Sequence, residues 1–219
     1  MKVPQSEIDM LRPLVRREFL KWNDFLHNCV IFNMPDSEIH ATGHCERVLL
    51  YALVLGERIS VDCDSLVALA HAAVFHDTRR LDDYLDTGHG ARAAVYYADF
   101  CRRNPGIKFY PEAAVLMRYH DLDDFIGRKA IEKEFGGDAQ RVLTLFEIFK
   151  DADALDRRRL GRYGLDPRYL RTREARGLVD YAVRLVEATV DPGLLARIEE
   201  EVNKTMSPLN DDEESTTDS

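Results

Sequence analysis

The sequence predicts an all-α fold, a helical bundle, and three observations carry that reading. Only 12 glycines and 8 prolines punctuate 219 residues. Long stretches are rich in Ala, Leu, Arg and Glu, which are strong helix formers. Apolar residues also recur at helical spacing along most of the chain. Hydrophobic residues make up 45%, enough to bury a sizeable core, and the length suits one large domain or one domain with additions.

Taken in order, "SEIDMLRPLVRREFLKWNDFLHNCVIF" has helical apolar spacing, with Pro13 as an early break or kink. It makes residues 1–35 an N-terminal helical extension, packed on a main domain of residues 36–206. "NMPDSEIHATGHCERVLLYALVLGERI" follows; Asp36 or Ser37 suits its N-cap, and Leu49, Leu50, Ala52, Leu53 and Leu55 supply a buried stripe. "DCDSLVALAHAAVFHD" reads as a central apolar helix. "GHGARAAVYYADFCRRN" gives another, stopping at Asn104-Pro105, and "PEAAVLMRYHD" one more, with Pro111 in its first turn. "DAQRVLTLFEIFKDADALDRRRL" is long and amphipathic. After the loop "GRYGLDPR", "TREARGLVDYAVRLVEATV" and "DPGLLARIEEEVNKTM" close the domain. Loops are expected at 82–88, 121–137 and 161–172. Residues 207–219 are acidic and polar without apolar anchors, which predicts a disordered tail.

Composition limits the function classes. The net charge is −9, which argues against general nucleic-acid binding, where phosphate neutralisation dominates affinity. The basic stretches "RRRLGR" and "RTREARG" still allow a locally positive pocket for a small phosphate ester. Cys29, Cys45, Cys63 and Cys101 form no CxxC pair and read as reduced thiols of a cytoplasmic protein. The N-terminus lacks the apolar core of a signal peptide. No apolar run approaches the ~20 residues of a bilayer span, so no membrane partner is expected. Nothing in the sequence specifies an oligomeric state.

The chemistry lies in the histidines. His44 sits in "GHCERV", His76 and Asp77 end the central apolar helix, His89 opens the next helix, His120 ends the following one, and Asp153 lies in "KDADALD". These imidazoles and carboxylates come from separate elements and suit first-row divalent metals, of the kind that bundles hold between facing helices. Adjacent helical residues differ by about 100° in direction. His76 and Asp77 can therefore lean toward one ion, or Asp77 can bridge two while His76 binds one. Arg79 and Arg80 follow at once, and guanidinium forks match phosphate oxygens. His40, one turn before His44, is placed at the pocket mouth as a substrate contact. Arg47, one turn from His44, is a weaker phosphate-binding candidate, or else a partner for a carboxylate that holds helices together, and His71 is read as structural.

The order His44, His76-Asp77, Asp153 resembles the signature of the HD-domain metal-dependent phosphohydrolases. "HCERV" resembles that family's His-x-x-Arg-Val helix, "AHAAVFHD" its apolar helix ending in His-Asp, and "DADALD" the helix supplying its last aspartate. His89 and His120 resemble the two extra histidines of HD-domain phosphodiesterases that hold two metals. The wider text also resembles a group of small HD-domain proteins, and the resemblance covers about residues 36 to 176. It implies an HD-domain bundle with a metal site in its core, ligated by His44, His76, Asp77, His89, His120 and Asp153. One or two divalent ions are implied: Mn, Fe, Co, Ni or Zn, with Mg admitted. The implied activity is cleavage of a phosphomonoester or phosphodiester, of a nucleotide or related small molecule, by metal-bound hydroxide. His76, Asp77 and Arg80 would be catalytic. Arg80 and Arg79 would bind substrate, with Arg80 favoured because the resembling group places an arginine three residues after the aspartate. Two other readings share these residues: a ligand-binding or regulatory module, and a di-iron oxygenase. The second ranks lower because the neighbouring arginines suit phosphate.

Overall fold

Pro13 lacks the backbone N–H that a helix interior needs, and it stands where that loss is harmless, in the first turn of a helix. The chain therefore breaks between α1 (Gln5–Asp9) and α2 (Pro13–Cys29). The computed structural model describes residues 2–206, so the expected tail at 207–219 lies outside the described residues. The elements that follow are α3 (Thr42–Arg58), α4 (Cys63–Phe75), α5 (His89–Arg103), α6 (Pro111–Tyr119) and α7 (Asp124–Phe135). Then come α8 (Ala139–Leu155), α9 (Arg173–Arg176), α10 (Val179–Thr189) and α11 (Pro192–Met206), with short 3-10 turns at Gly136–Asp138, Asp156–Leu160 and Pro167–Tyr169. The all-helical prediction holds: the described residues are 71% helix, with no strand among them.

Two helices form the centre. Residues 48 to 53 of α3 are fully buried, and α4 is apolar nearly all round, as a helix enclosed on every side must be. Asp62 caps α4 by accepting from the Ser65 N–H at 2.8 Å. Around this pair pack α2, α6 and α8, with α5 laid on α6 and α7 on α8. Val15, Phe19, Trp22 and Leu26 of α2 join the same core, so α2 shares the interior of the domain. The buried Glu46 carboxylate adds a tie, accepting the backbone N–H groups of Lys2 and Val3.

Three local readings change. α3 begins at Thr42 with Ala41 as N-cap, so Asp36 and Ser37 are not its cap. Ser37 instead accepts the His40 N–H at 2.9 Å and donates to Asp83, so His40 precedes the helix in a turn. Residues 124–135, expected within a loop, form α7, capped by Asp123. Only Gly127 and Ile131 of that helix are buried, too thin a stripe to give a periodic signal. The long helix α8 gives way at Asp156 to a tighter 3-10 turn, which redirects the arginines of "DRRRL".

Candidate metal centre

Helix ends deliver the site. α4 carries His76 at its C-cap, fully buried, and α6 carries His120 at the same position. His44 lies in the first turn of α3, His89 is the first residue of α5, and Asp153 is in the last turn of α8. Glycines set the approach of α5. Gly88 adopts φ +91, a left-handed conformation favouring glycine. A Cβ on Gly90 would stand 2.2 Å from the Met117 carbonyl oxygen and 2.8 Å from His120 Nδ1. The start of α5 therefore lies directly on the end of α6, and His89 Nε2 comes within 2.9 Å of His120 Nε2.

The protons of these rings can be placed from their partners. His44 Nδ1 lies 2.7 Å from Asp156 Oδ2, and His76 Nδ1 lies 2.9 Å from the Ala73 carbonyl oxygen. His89 Nδ1 and His120 Nδ1 each lie 2.7 Å from a carbonyl oxygen, those of Asp86 and Met117. Carbonyl and ionised carboxylate oxygens only accept, so each Nδ1 carries a hydrogen, and each neutral ring leaves Nε2 as a bare lone pair. Yet the Nε2 atoms face one another in pairs, His44 to His76 at 3.0 Å and His89 to His120 at 2.9 Å. Buried lone pairs at that distance repel unless a cation stands between or beside them.

Asp77 joins the pairs. Its Oδ1 is 2.9 Å from His89 Nε2 and 3.5 Å from His120 Nε2, while its Oδ2 is 3.5 Å from His44 Nε2. Two groups of side chains can each hold a metal ion, His44 with His76 and Asp77, and Asp77 with His89 and His120. Asp77 is common to both. Asp153 Oδ1 approaches the first group, 3.3 Å from His44 Nε2 and 3.9 Å from His76 Nε2. Imidazole nitrogens with a shared carboxylate fit first-row divalent ions, and Nδ1 anchors of this kind fix the rings of ligating histidines.

Burial and mutual charge shift the ionisation of these side chains in opposite directions. Burial alone would raise the Asp77 carboxyl, but the His76, His120, His40 and His89 imidazoles around it hold it well below the usual range. Asp153 is also held well below that range against its burial, by His44, His76 and His120. Burial pushes His76 down to about 3. His120 resists its own burial and is held above the ordinary imidazole value by Asp77 and Asp153. The buried Cys45 thiol, 3.9 Å from His76 Nδ1, is pushed up by burial and stays protonated.

The sequence-derived residues do not all arrive at this centre. His44, His76, Asp77, His89, His120 and Asp153 converge. His40 reaches it through Nδ1, 3.1 Å from Asp77 Oδ2. Arg80 Nη1 lies 3.9 Å from Asp77 Oδ1 and 3.4 Å from both ring nitrogens of His89. Its other nitrogens are committed, Nε to the Asp82 carbonyl at 3.2 Å and Nη2 to that of Tyr84 at 2.6 Å. Arg80 thus anchors the loop after Asp77. Arg79 is not brought to the cluster. Its Nη1 donates to the Ile31 carbonyl at 2.8 Å, and its guanidinium lies 3.3 Å from the centre of the Tyr96 ring. The chain leaves α4 here in an irregular turn, so the two neighbouring arginines diverge. Arg79 belongs instead to a surface cleft lined also by Arg92, Tyr96, Asp99 and Arg102, which contains none of the histidines.

Other residues surround the centre. Asp156 accepts from His44 Nδ1 and from Arg47 Nε at 2.6 Å and Nη2 at 3.0 Å, which gives Arg47 its carboxylate partner. Arg159 packs beside Asp156 and His40. Asp151 is fully buried but faces away, accepting from Thr172 N at 2.7 Å and Arg171 N at 2.9 Å, and so ties the loop at 170–172 to α8. Asp121 accepts from the Gly88 N–H but stands 3.5 Å from His89 Nδ1, outranked there by the Asp86 carbonyl. Among the described residues no helix is long and apolar enough to cross a membrane. Comparison of the chain with protein families, curated proteins and solved structures gives no match.

Proposed function

We propose that this chain is a metal-dependent phosphohydrolase of the HD-domain kind, acting on a phosphomonoester or phosphodiester of a nucleotide or related small molecule. The observation that carries the reading is the set of buried Nε2 lone pairs of His44, His76, His89 and His120 around one shared carboxylate, Asp77. Divalent cations bound by such donors supply an acidified water as nucleophile and neutralise charge on phosphoryl oxygens. Two such ions against Asp77 and Asp153 leave a net of about two positive charges, which complements a phosphate dianion.

The chain's own residues do the rest. The four Nδ1 anchors hold the rings at fixed angles, so no ring has to turn when a ligand arrives. Asp77 keeps the two halves of the cluster in one register. The Asp153 side chain is 25% exposed where Asp77 is 3%, which favours entry of substrate from the Asp153 side. Arg80 holds the loop at 82–84 against His89, shaping one wall.

Metal analysis of the purified protein, followed by hydrolysis of a chromogenic phosphate ester with added Mn, Co or Ni, tests the reading. Metal-bearing protein that turns over the ester is expected, with His76→Ala and Asp77→Ala inactive. Protein that holds no metal and cleaves no ester in any of these ions would overturn it. Because Arg79 turns away, one of the two arginines that favoured phosphate over dioxygen chemistry is lost. The assay is therefore run with and without oxygen, and turnover that requires oxygen would favour the di-iron reading.

A further inference from the structure

We infer that Arg159, beside His40, forms a buried anion subsite that takes a phosphoryl oxygen of the substrate. This rests on the hydrolase reading and assigns one wall of the same site.

Arg159 is only 3% exposed. Its Nε is fixed by the Ile39 carbonyl at 2.7 Å, which orients the fork. The Nη1 atom is buried without a hydrogen-bond partner. Its nearest carboxylate oxygen is Asp156 Oδ2 at 3.4 Å, and that carboxylate is already taken by Arg47 through both oxygens and by His44. Two guanidinium groups thus share one carboxylate, and Arg159 is the one with spare charge and a spare donor. Burying a cation whose one carboxylate partner is shared with a second guanidinium is costly unless a further group accepts from it.

The Nη2 atom repeats the demand. It lies 3.3 Å from His40 Nδ1, and the same Nδ1 lies 3.1 Å from Asp77 Oδ2. One ring nitrogen cannot both donate to Asp77 and accept from Arg159. If His40 donates to Asp77, Arg159 Nη2 faces an N–H; if it accepts from Arg159, Asp77 faces a lone pair. An oxyanion that accepts from both Nη atoms removes the conflict and leaves the His40 hydrogen on Asp77. Planar forks of this type bind tetrahedral phosphate through two oxygens. The contact chain from Arg159 through His40 to Asp77 puts the anion next to the metal-binding carboxylate. Arg80, favoured from sequence, has its Nε and Nη2 engaged by backbone carbonyls, so Arg159 is the guanidinium with capacity to serve.

The test is calorimetric titration of inorganic phosphate into the full chain, metal-loaded and chelator-stripped, for wild type, Arg159→Met and Arg159→Lys. Metal content and circular dichroism of each are recorded. Wild type should bind phosphate, Arg159→Met at least about tenfold more weakly, and Arg159→Lys in between, with metal content unchanged. Wild-type phosphate affinity in Arg159→Met overturns the subsite, as does wild type that binds no phosphate at millimolar concentration. Should Arg159→Met not fold, Arg159→Lys decides, and unchanged affinity in it overturns the subsite. The two readings fail separately. Metal and turnover with phosphate binding indifferent to Arg159 removes the subsite and keeps the hydrolase. Arg159-dependent phosphate binding in a chain that holds no metal keeps the subsite and removes the hydrolase.

Discussion

Asp77 Oδ1 meets His89 Nε2 at 2.9 Å, and the other oxygen of the same carboxylate faces His40 and His44. One side chain therefore serves both halves of the cluster. Asp77→Asn should lose nearly all bound metal, whereas His120→Ala should lose roughly half, since it touches one group alone. Metal content by mass spectrometry after gel filtration measures both. Wild-type metal in Asp77→Asn would contradict a shared ligand.

Asp156 works from behind. Burial would raise its pKa, yet Arg47, His44 and Arg159 hold it at about 2. Asp156→Ala leaves Arg47 buried without its carboxylate and should cost ~3–5 kcal/mol of folding stability. The milder Asp156→Asn should fold and weaken metal binding ~10–100-fold, because the amide carries no charge and puts an N–H donor where His44 Nδ1 and Arg47 both need acceptors. Urea unfolding and competition with a zinc chelator read the two effects. Equal metal affinity in Asp156→Asn and wild type would refute the role assigned to His44 Nδ1.

Gly90 is required by contact, and an added methyl has nowhere to go against the Met117 carbonyl. Gly90→Ala should push α5 off α6, cost ~1–3 kcal/mol, and weaken the His89–His120 half of the cluster before the His44–His76 half. Gly106→Ala, where a Cβ meets nothing within 4 Å, is the control. Metal stoichiometry and thermal midpoint distinguish them. A Gly90→Ala protein matching that control in both would remove the packing argument.

His71, away from the candidate metal ligands, makes the pH dependence testable. Its ring lies 4.2 Å from that of Trp22, and its Nδ1 is 2.8 Å from the Tyr97 hydroxyl, which also accepts the Tyr110 N–H. Burial pushes its pKa from 6.5 to about 3. Below 6.5 the unfolded chain takes up a proton that the folded one refuses, so this site favours folding fully above that pH and less as pH falls toward 3. The loss is about 2 kcal/mol at about pH 5. His71→Gln keeps a polar partner for Tyr97 and cannot titrate. Its stability should fall less than that of wild type between neutral pH and about pH 5, by roughly that amount. Parallel pH profiles in urea unfolding would rule this out.

The helices were legible where burial wrote a clear period, as in α3 and α8, or an unbroken apolar run, as in α4. α7 was not, because its buried side reduces to Gly127 and Ile131. Of the site, the residues at the ends of apolar helices could be read, since a polar pair closing a buried run stands out, as His76-Asp77 does. Arg79, Asp156 and Arg159 could not. They sit in irregular or 3-10 turns, where neighbouring side chains do not follow helical angles, and an arginine in "DRRRL" looks the same whether it is buried or solvated. Only the fold separates Arg159, enclosed against His40, from the half-buried Arg158, which pairs with Glu199.

Three aspartates near the end of α8 look in three directions: Asp151 to the loop at 170–172, Asp153 to His44, and Asp156 to Arg47. Deleting one residue within this helix would turn everything beyond the gap by about 100°, and all three tasks would fail together. Variants of this chain should therefore tolerate changes of residue type on the outer side of α8 far more readily than any insertion or deletion along it.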